Sequence, residues 1–211
     1  MKRVTVKGFA NFVVARPAKQ RKIVHDFKFP DPEGRAQAAY YREARKGIST
    51  YHTKNYEVDW LITTAEKLDD LADSAPQIAG TRLRHNSRAI RQYAEAFASK
   101  RYEVFTSGTF ELVHNDVNIA VHPDLFVREG SQLKLIKFDF GVEPPDEMVA
   151  KVVGQVMYEA ANQSGLTLFP SQVLFVDVAR HQVHKGTRVG SRMAIEIRAA
   201  CENISAIWET I

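Results

Sequence analysis

Between Asn55 and Pro76 the apolar residues Trp60, Leu61, Ala65, Leu68, Leu71 and Ala72 recur at helical spacing, with acidic residues turned to the other face. The next stretch repeats the pattern, with Leu83, Ile90, Tyr93, Ala94 and Phe97 as its apolar stripe. Ahead of both, PDPEGRAQAAYYREARKG opens on a turn signal and continues through helix formers, which predicts a helix over about Glu33–Lys46 stopped by Gly47. From Tyr102 the period shortens to two. The segment as far as Phe140 is rich in Val, Phe, Ile and Leu and is punctuated by HND and REGSQ, which predicts three strands in antiparallel succession. PPDEMVAKVVGQVMYEAANQSG returns to helical spacing through Met148, Val152, Val156 and Ala160, with proline and acids at its start and glycine at its end. The near-continuous apolar run in SQVLFVDVARHQVHKG reads as an interior strand followed by a shorter one, and the chain closes on a helix.

This order predicts an α/β (α+β) fold. A mixed central sheet with an α-β-β-β-α-β core is flanked by helices, and a basic, helical N-terminal addition precedes it. The expected division is residues 1–80 for the addition, packed on the core, and 81–211 for the core, or one compact domain overall. A chain of 211 residues buries a core of its own without covalent staples. The single Cys201 rules out an internal disulfide and fits a reduced cytoplasm. Basic residues precede the apolar FANFVVA near the N-terminus, but that run is too short and interrupted for an export signal, and no window suits a membrane span.

Charge is segregated along the chain. Residues 1–55 carry 13 Lys/Arg against 4 Asp/Glu, residues 56–75 carry 1 against 6, residues 76–101 carry 6 against 1, and the remainder carries 9 against 14. Two basic segments flanking an acidic one favour a polyanion as partner; the nucleic acid expected is DNA more than RNA. Arg84, Arg88 and Arg91, spaced four and three apart on one helix face, are the candidates for tracking phosphates, with Tyr93 and Tyr102 available for stacking. The bland alternative is a solvated helix face.

HPDLFVREGSQLKLIKFDFG, residues 122–141, holds the candidate chemistry: Asp124 after a proline on one strand, and Lys137 and Asp139 two apart on the next. Strand alternation places Lys137 and Asp139 on one face, with Phe138 and Phe140 on the other. This hairpin, within the element order above, resembles the PD-(D/E)xK nuclease superfamily, the restriction-endonuclease-like fold, over about residues 82–180. The resemblance implies Mg²⁺-dependent phosphodiester hydrolysis in which Asp124 binds metal and Lys137 stabilises developing charge. The second half of the motif departs from the family. The position two before Lys137 is Leu135, and in the other register the acid and lysine are exchanged. Asp139, Glu111 or Glu95 would have to supply the second carboxylate. Gln155 and Tyr158 on the following helix are similar to a Gln-Tyr element of the RecB-like and Cas4-like exonuclease branch, at a spacing of three instead of four.

Three readings follow: a metal-dependent nuclease with a relocated acid, a catalytically silent member that binds nucleic acid or a protein partner, and a plain α/β assembly module. His114, His122, His181 and His184 match no zinc spacing. Gly186 and Gly190, with Arg188 and Arg192, form a loop that reads as a simple helix entry more readily than as a phosphate site.

Overall fold

The computed structural model describes residues 1–30, 39–106, 108–187 and 191–211. Its first elements are strand β1 (Lys2–Thr5) and helices α1 (Val6–Val14) and α2 (Pro17–Lys28). Helices α3 (Arg42–Lys54), α4 (Val58–Ser74) and α5 (Gln77–Phe97) follow. Next come strands β2 (Glu103–Phe105), β3 (Phe110–His114), β4 (Val117–Val121), β5 (Leu125–Glu129) and β6 (Gln132–Asp139). Helix α6 (Glu147–Gln163), strands β7 (Val173–Asp177) and β8 (Gln182–Lys185), and helix α7 (Ser191–Thr210) complete the order. The fold is α/β, with mixed sheets flanked by helices.

The three expected antiparallel strands are five, divided between two sheets. One sheet has the order β1-β4-β3 and the other β2-β5-β6-β7-β8. The β3–β4 hairpin turns at Asn115, whose φ of 54° is tolerated by its short polar side chain, and leaves the larger sheet to pair with β1. The β5–β6 hairpin turns at Gly130, φ 59°. In the larger sheet β6 and β7 are parallel, which requires the crossover through α6, while the remaining pairs are antiparallel.

Both faces of β6 and β7 are covered, and this explains the continuous apolar run of β7. Leu135, Val173 and Phe175 face one core with α1, α6, α7 and β4. Ile136, Phe138, Leu174 and Val176 face a second core with α3, α4 and α5. The described elements of the first 80 residues enter both cores: β1, α1 and α2 pack in the first, α3 and α4 in the second. The short FANFVVA run is therefore the buried face of α1, through Phe9, Ala10 and Phe12.

The helix expected over Glu33–Lys46 needs correction. Its first part lies outside the described residues, and the observed helix starts at Arg42 and runs through Gly47 to Lys54. Gly47 does not stop it. A Cβ there would stand 3.3 Å from Ile90 Cδ1, so glycine admits α5 at close range, and the helix ends on Asn55, φ 50°.

Candidate functional site

The register of β5 and β6 pairs Leu125 with Ile136, which places Asp124 beside Lys137 at the next step of the ladder. The Asp124 amide donates to the Ile136 carbonyl at 2.8 Å, and its carboxylate accepts the Phe138 amide at 2.7 Å. Lys137 Nζ lies 3.2 Å from the same carboxylate and donates to the His122 carbonyl at 2.9 Å. Arg45, from α3, brings Nε to 3.0 Å of Asp124 Oδ1. The side chain of Asp124 is only 6% exposed, so its charge is balanced inside the protein by two cations and one amide.

Two residues along β6, Asp139 occupies the strand end. Its Oδ1 accepts Lys7 Nζ, from α1, at 2.7 Å and the Gly141 amide at 3.1 Å. The parallel register sets Asp139 beside Asp177, the last residue of β7. Asp177 is 1% exposed and is held by the backbone amide and the guanidinium of Arg180, each at 3.1 Å. The other terminal guanidinium nitrogen of Arg180 donates to the Val142 carbonyl.

A cleft opens beside Gly141, lined by Tyr41, His85, Arg88, Gln92, Phe140 and Arg180. Tyr41 stacks on Phe140 at a ring separation of 5.0 Å, and Arg45 lies 5.6 Å above the same Phe140 ring. Burial raises the Tyr41 phenol above its ordinary range, and the phenol senses Asp139, Arg88 and Arg45. Burial, then the charge of Lys137, lowers His122 below its ordinary value. Arg88 is exposed and has no ion pair among the described residues. Three carboxylates, Asp124, Asp139 and Asp177, thus stand with five cations, Lys7, Arg45, Arg88, Lys137 and Arg180. Among these named groups the cations outnumber the carboxylates.

The residues here do not fit a divalent metal. Each carboxylate already holds an ammonium or guanidinium of the chain, and a metal would have to displace it. Among the described residues no group of three His, Cys, Asp or Glu side chains is placed to hold an ion. Of the other acids, Glu111 acts together with Asp124 on the His122 ring, and Glu95 neighbours His181 instead, at 3.9 Å. Glu111 is exposed on the smaller sheet opposite Ala120, and Glu95 is exposed on α5.

The expected phosphate-tracking face is also largely committed. Arg84 reaches Asp73 at 2.8 Å and Arg91 reaches Asp69 at 2.8 Å, both acids on α4. Two of the acids of α4 are thus paired across the helical hairpin, and Arg88 alone of the three points into the cleft. Gln155 is buried and donates to Glu159 at 2.6 Å, while Tyr158 packs against the first core. They do not join the strand-end cluster. Tyr93 is no stacking platform either: it is buried and shares a 2.6 Å hydrogen bond with His52, on which Tyr102 packs at 4.7 Å. The histidines have separate neighbours, and of the Gly186–Arg192 loop residues 188–190 lie outside the described residues.

Lys7, Tyr41, Arg45 and Asp177 escaped the sequence reading. Asp177 had a visible signal, an acid closing a continuous apolar strand. The other three lie far from the hairpin in sequence, and only the fold brings them to it. No family model and no curated protein matches the chain.

Proposed function

We propose that the chain is a catalytically silent module of the PD-(D/E)xK type that binds nucleic acid through its phosphates at the cationic end of β6 and β7. The observation that carries the reading is the neutralisation of Asp124 by Lys137 and Arg45, and of Asp139 by Lys7, in a cluster with more cations than carboxylates. The exchange of acid and lysine along β6 is what turns a metal-binding pattern into an ion-paired one. Arg88 and the face of Tyr41 then offer a phosphate contact and an aromatic surface beside it.

The test is fluorescence anisotropy with labelled single-stranded DNA, duplex DNA and RNA, with Mg²⁺ or EDTA, and a parallel gel for cleavage. Binding should weaken steeply with salt, because each neutralised phosphate releases counterions, and should be indifferent to the chelator. Arg88→Glu should reduce affinity at least fivefold. Mg²⁺-dependent cutting that disappears in Asp124→Ala would overturn the silent reading. Absence of binding to all three substrates at low salt would overturn the nucleic-acid reading.

A further inference from the structure

A second cavity lies where α5 ends before the sheet does. By register, Ile136 of β6, Leu174 of β7 and Lys185 of β8 form one row across the sheet, and Phe138, Val176 and Val183 form the next. These rows are the floor of the cavity. Tyr93 and Phe97, on the last two turns of α5, form its roof together with Tyr102. Helix α5 stops at Phe97, so the β8 end of the floor is left uncovered and Val183 is 42% exposed. No lining residue is shared with the cleft at Arg88.

The rim of this slot is cationic. Glu129 is held between Lys134 and Lys100, the latter at 3.6 Å. Lys185 is exposed and has no ion pair among the described residues. Three ammonium groups thus face one carboxylate at the mouth of an apolar, aromatic-roofed slot. A rigid apolar body would cover the exposed Val183 edge of the floor, whose other apolar residues Ile136, Phe138, Leu174 and Val176 are already buried, while an attached anionic group would meet the unpaired Lys185. A cationic or uncharged polar molecule gains nothing comparable there.

We propose that this slot is a binding site for a small organic carboxylate with a flat apolar body, the carboxylate resting on Lys185 and the body lying against Phe97 and the exposed Val183 edge of the floor. The site is independent of the strand-end cleft and of the nucleic-acid reading.

The test is calorimetric titration of the full chain with 2-naphthoate, 2-naphthylmethanol and 2-naphthylmethylamine, which share one apolar body and differ in charge. The naphthoate should bind at least tenfold tighter than the alcohol, and the amine weakest. Lys185→Glu should lower naphthoate affinity about tenfold, and Val183→Trp, on the exposed edge strand, should abolish binding with the melting temperature unchanged. Excess oligonucleotide should not displace the naphthoate. Absence of naphthoate binding, equal affinity for acid and alcohol, insensitivity to Lys185→Glu, or displacement by oligonucleotide would each overturn the proposal.

Discussion

Asp124→Asn separates an ion-paired scaffold from a metal site, because the two respond to loss of a carboxylate with opposite signs. In a metal site free of metal, neighbouring carboxylates repel and removing one relieves the protein. Here Asp124 is 6% exposed and faces Lys137, 15% exposed, and Arg45, 32% exposed. The asparagine retains an acceptor for the Phe138 amide but removes the charge, which leaves an ammonium and a guanidinium in a largely dry position. Breaking a buried pair from one side costs about 3–5 kcal/mol. Since Arg45 can turn partly toward water, the lower end applies, about 3 kcal/mol. For a chain of this size that corresponds to a fall in Tm of roughly 6–12 °C. Urea and thermal unfolding of the wild type and the variant, each in EDTA and in excess Mg²⁺, measure it. A variant as stable as the wild type or more so, or a wild type markedly stabilised by Mg²⁺, would refute the ion-pair reasoning.

Three further outcomes follow from other parts of the molecule. His52 is buried against Tyr93 and Tyr102, and burial, then the charge of Arg101, lowers its pKa from 6.5 to about 4. Its contribution is therefore complete above pH 6.5 and is lost as the pH falls toward 4, by about 3 kcal/mol at most, and unfolding curves of His52→Gln should lack that slope. The exposed Arg84–Asp73 and Arg91–Asp69 pairs should each contribute less than about 1 kcal/mol, and the double variant Arg84→Ala/Arg91→Ala should keep its nucleic-acid affinity within about twofold, measured by anisotropy. A methyl group on Gly80 would lie 2.7 Å from the Ala72 carbonyl oxygen, so Gly80→Ala should force α4 and α5 apart and cost about 1–3 kcal/mol in urea unfolding.

Periodicity alone made α4, α5 and α6 legible, because each buries one regular stripe in a single core. The strands were less so. Period-two alternation from Tyr102 to Phe140 records which residues alternate between faces but not which sheet a hairpin joins, and the β3–β4 hairpin takes its partner, β1, from a segment more than a hundred residues earlier. Gly47 was misread because a glycine that ends a helix and a glycine that admits a neighbouring helix look identical in sequence. At the candidate site, Asp124 and Lys137 were visible as a pair, whereas the charges that decide their chemistry, Lys7 and Arg45, arrive through tertiary packing and leave no spacing to detect.

The Lys-x-Asp order on β6 also bears on how the layers are joined. With the lysine at the inner position, Asp124 is neutralised from its neighbouring strand, and the acid moves outward to the strand end, where no residue of the sheet beside it is cationic: its parallel neighbour is another acid, Asp177. Each outer acid then requires a cation from elsewhere. Asp139 takes Lys7 from α1 in the first core's helical layer, Asp177 takes Arg180 from the loop beyond β7, and Asp124 gains Arg45 from α3 in the second layer. The N-terminal helix α1 and the α3 helix are thus both electrostatic partners of the same sheet end. The site's charges thus tie the two helical layers to one sheet end, and of its five cations Arg88 alone has no ion pair among the described residues.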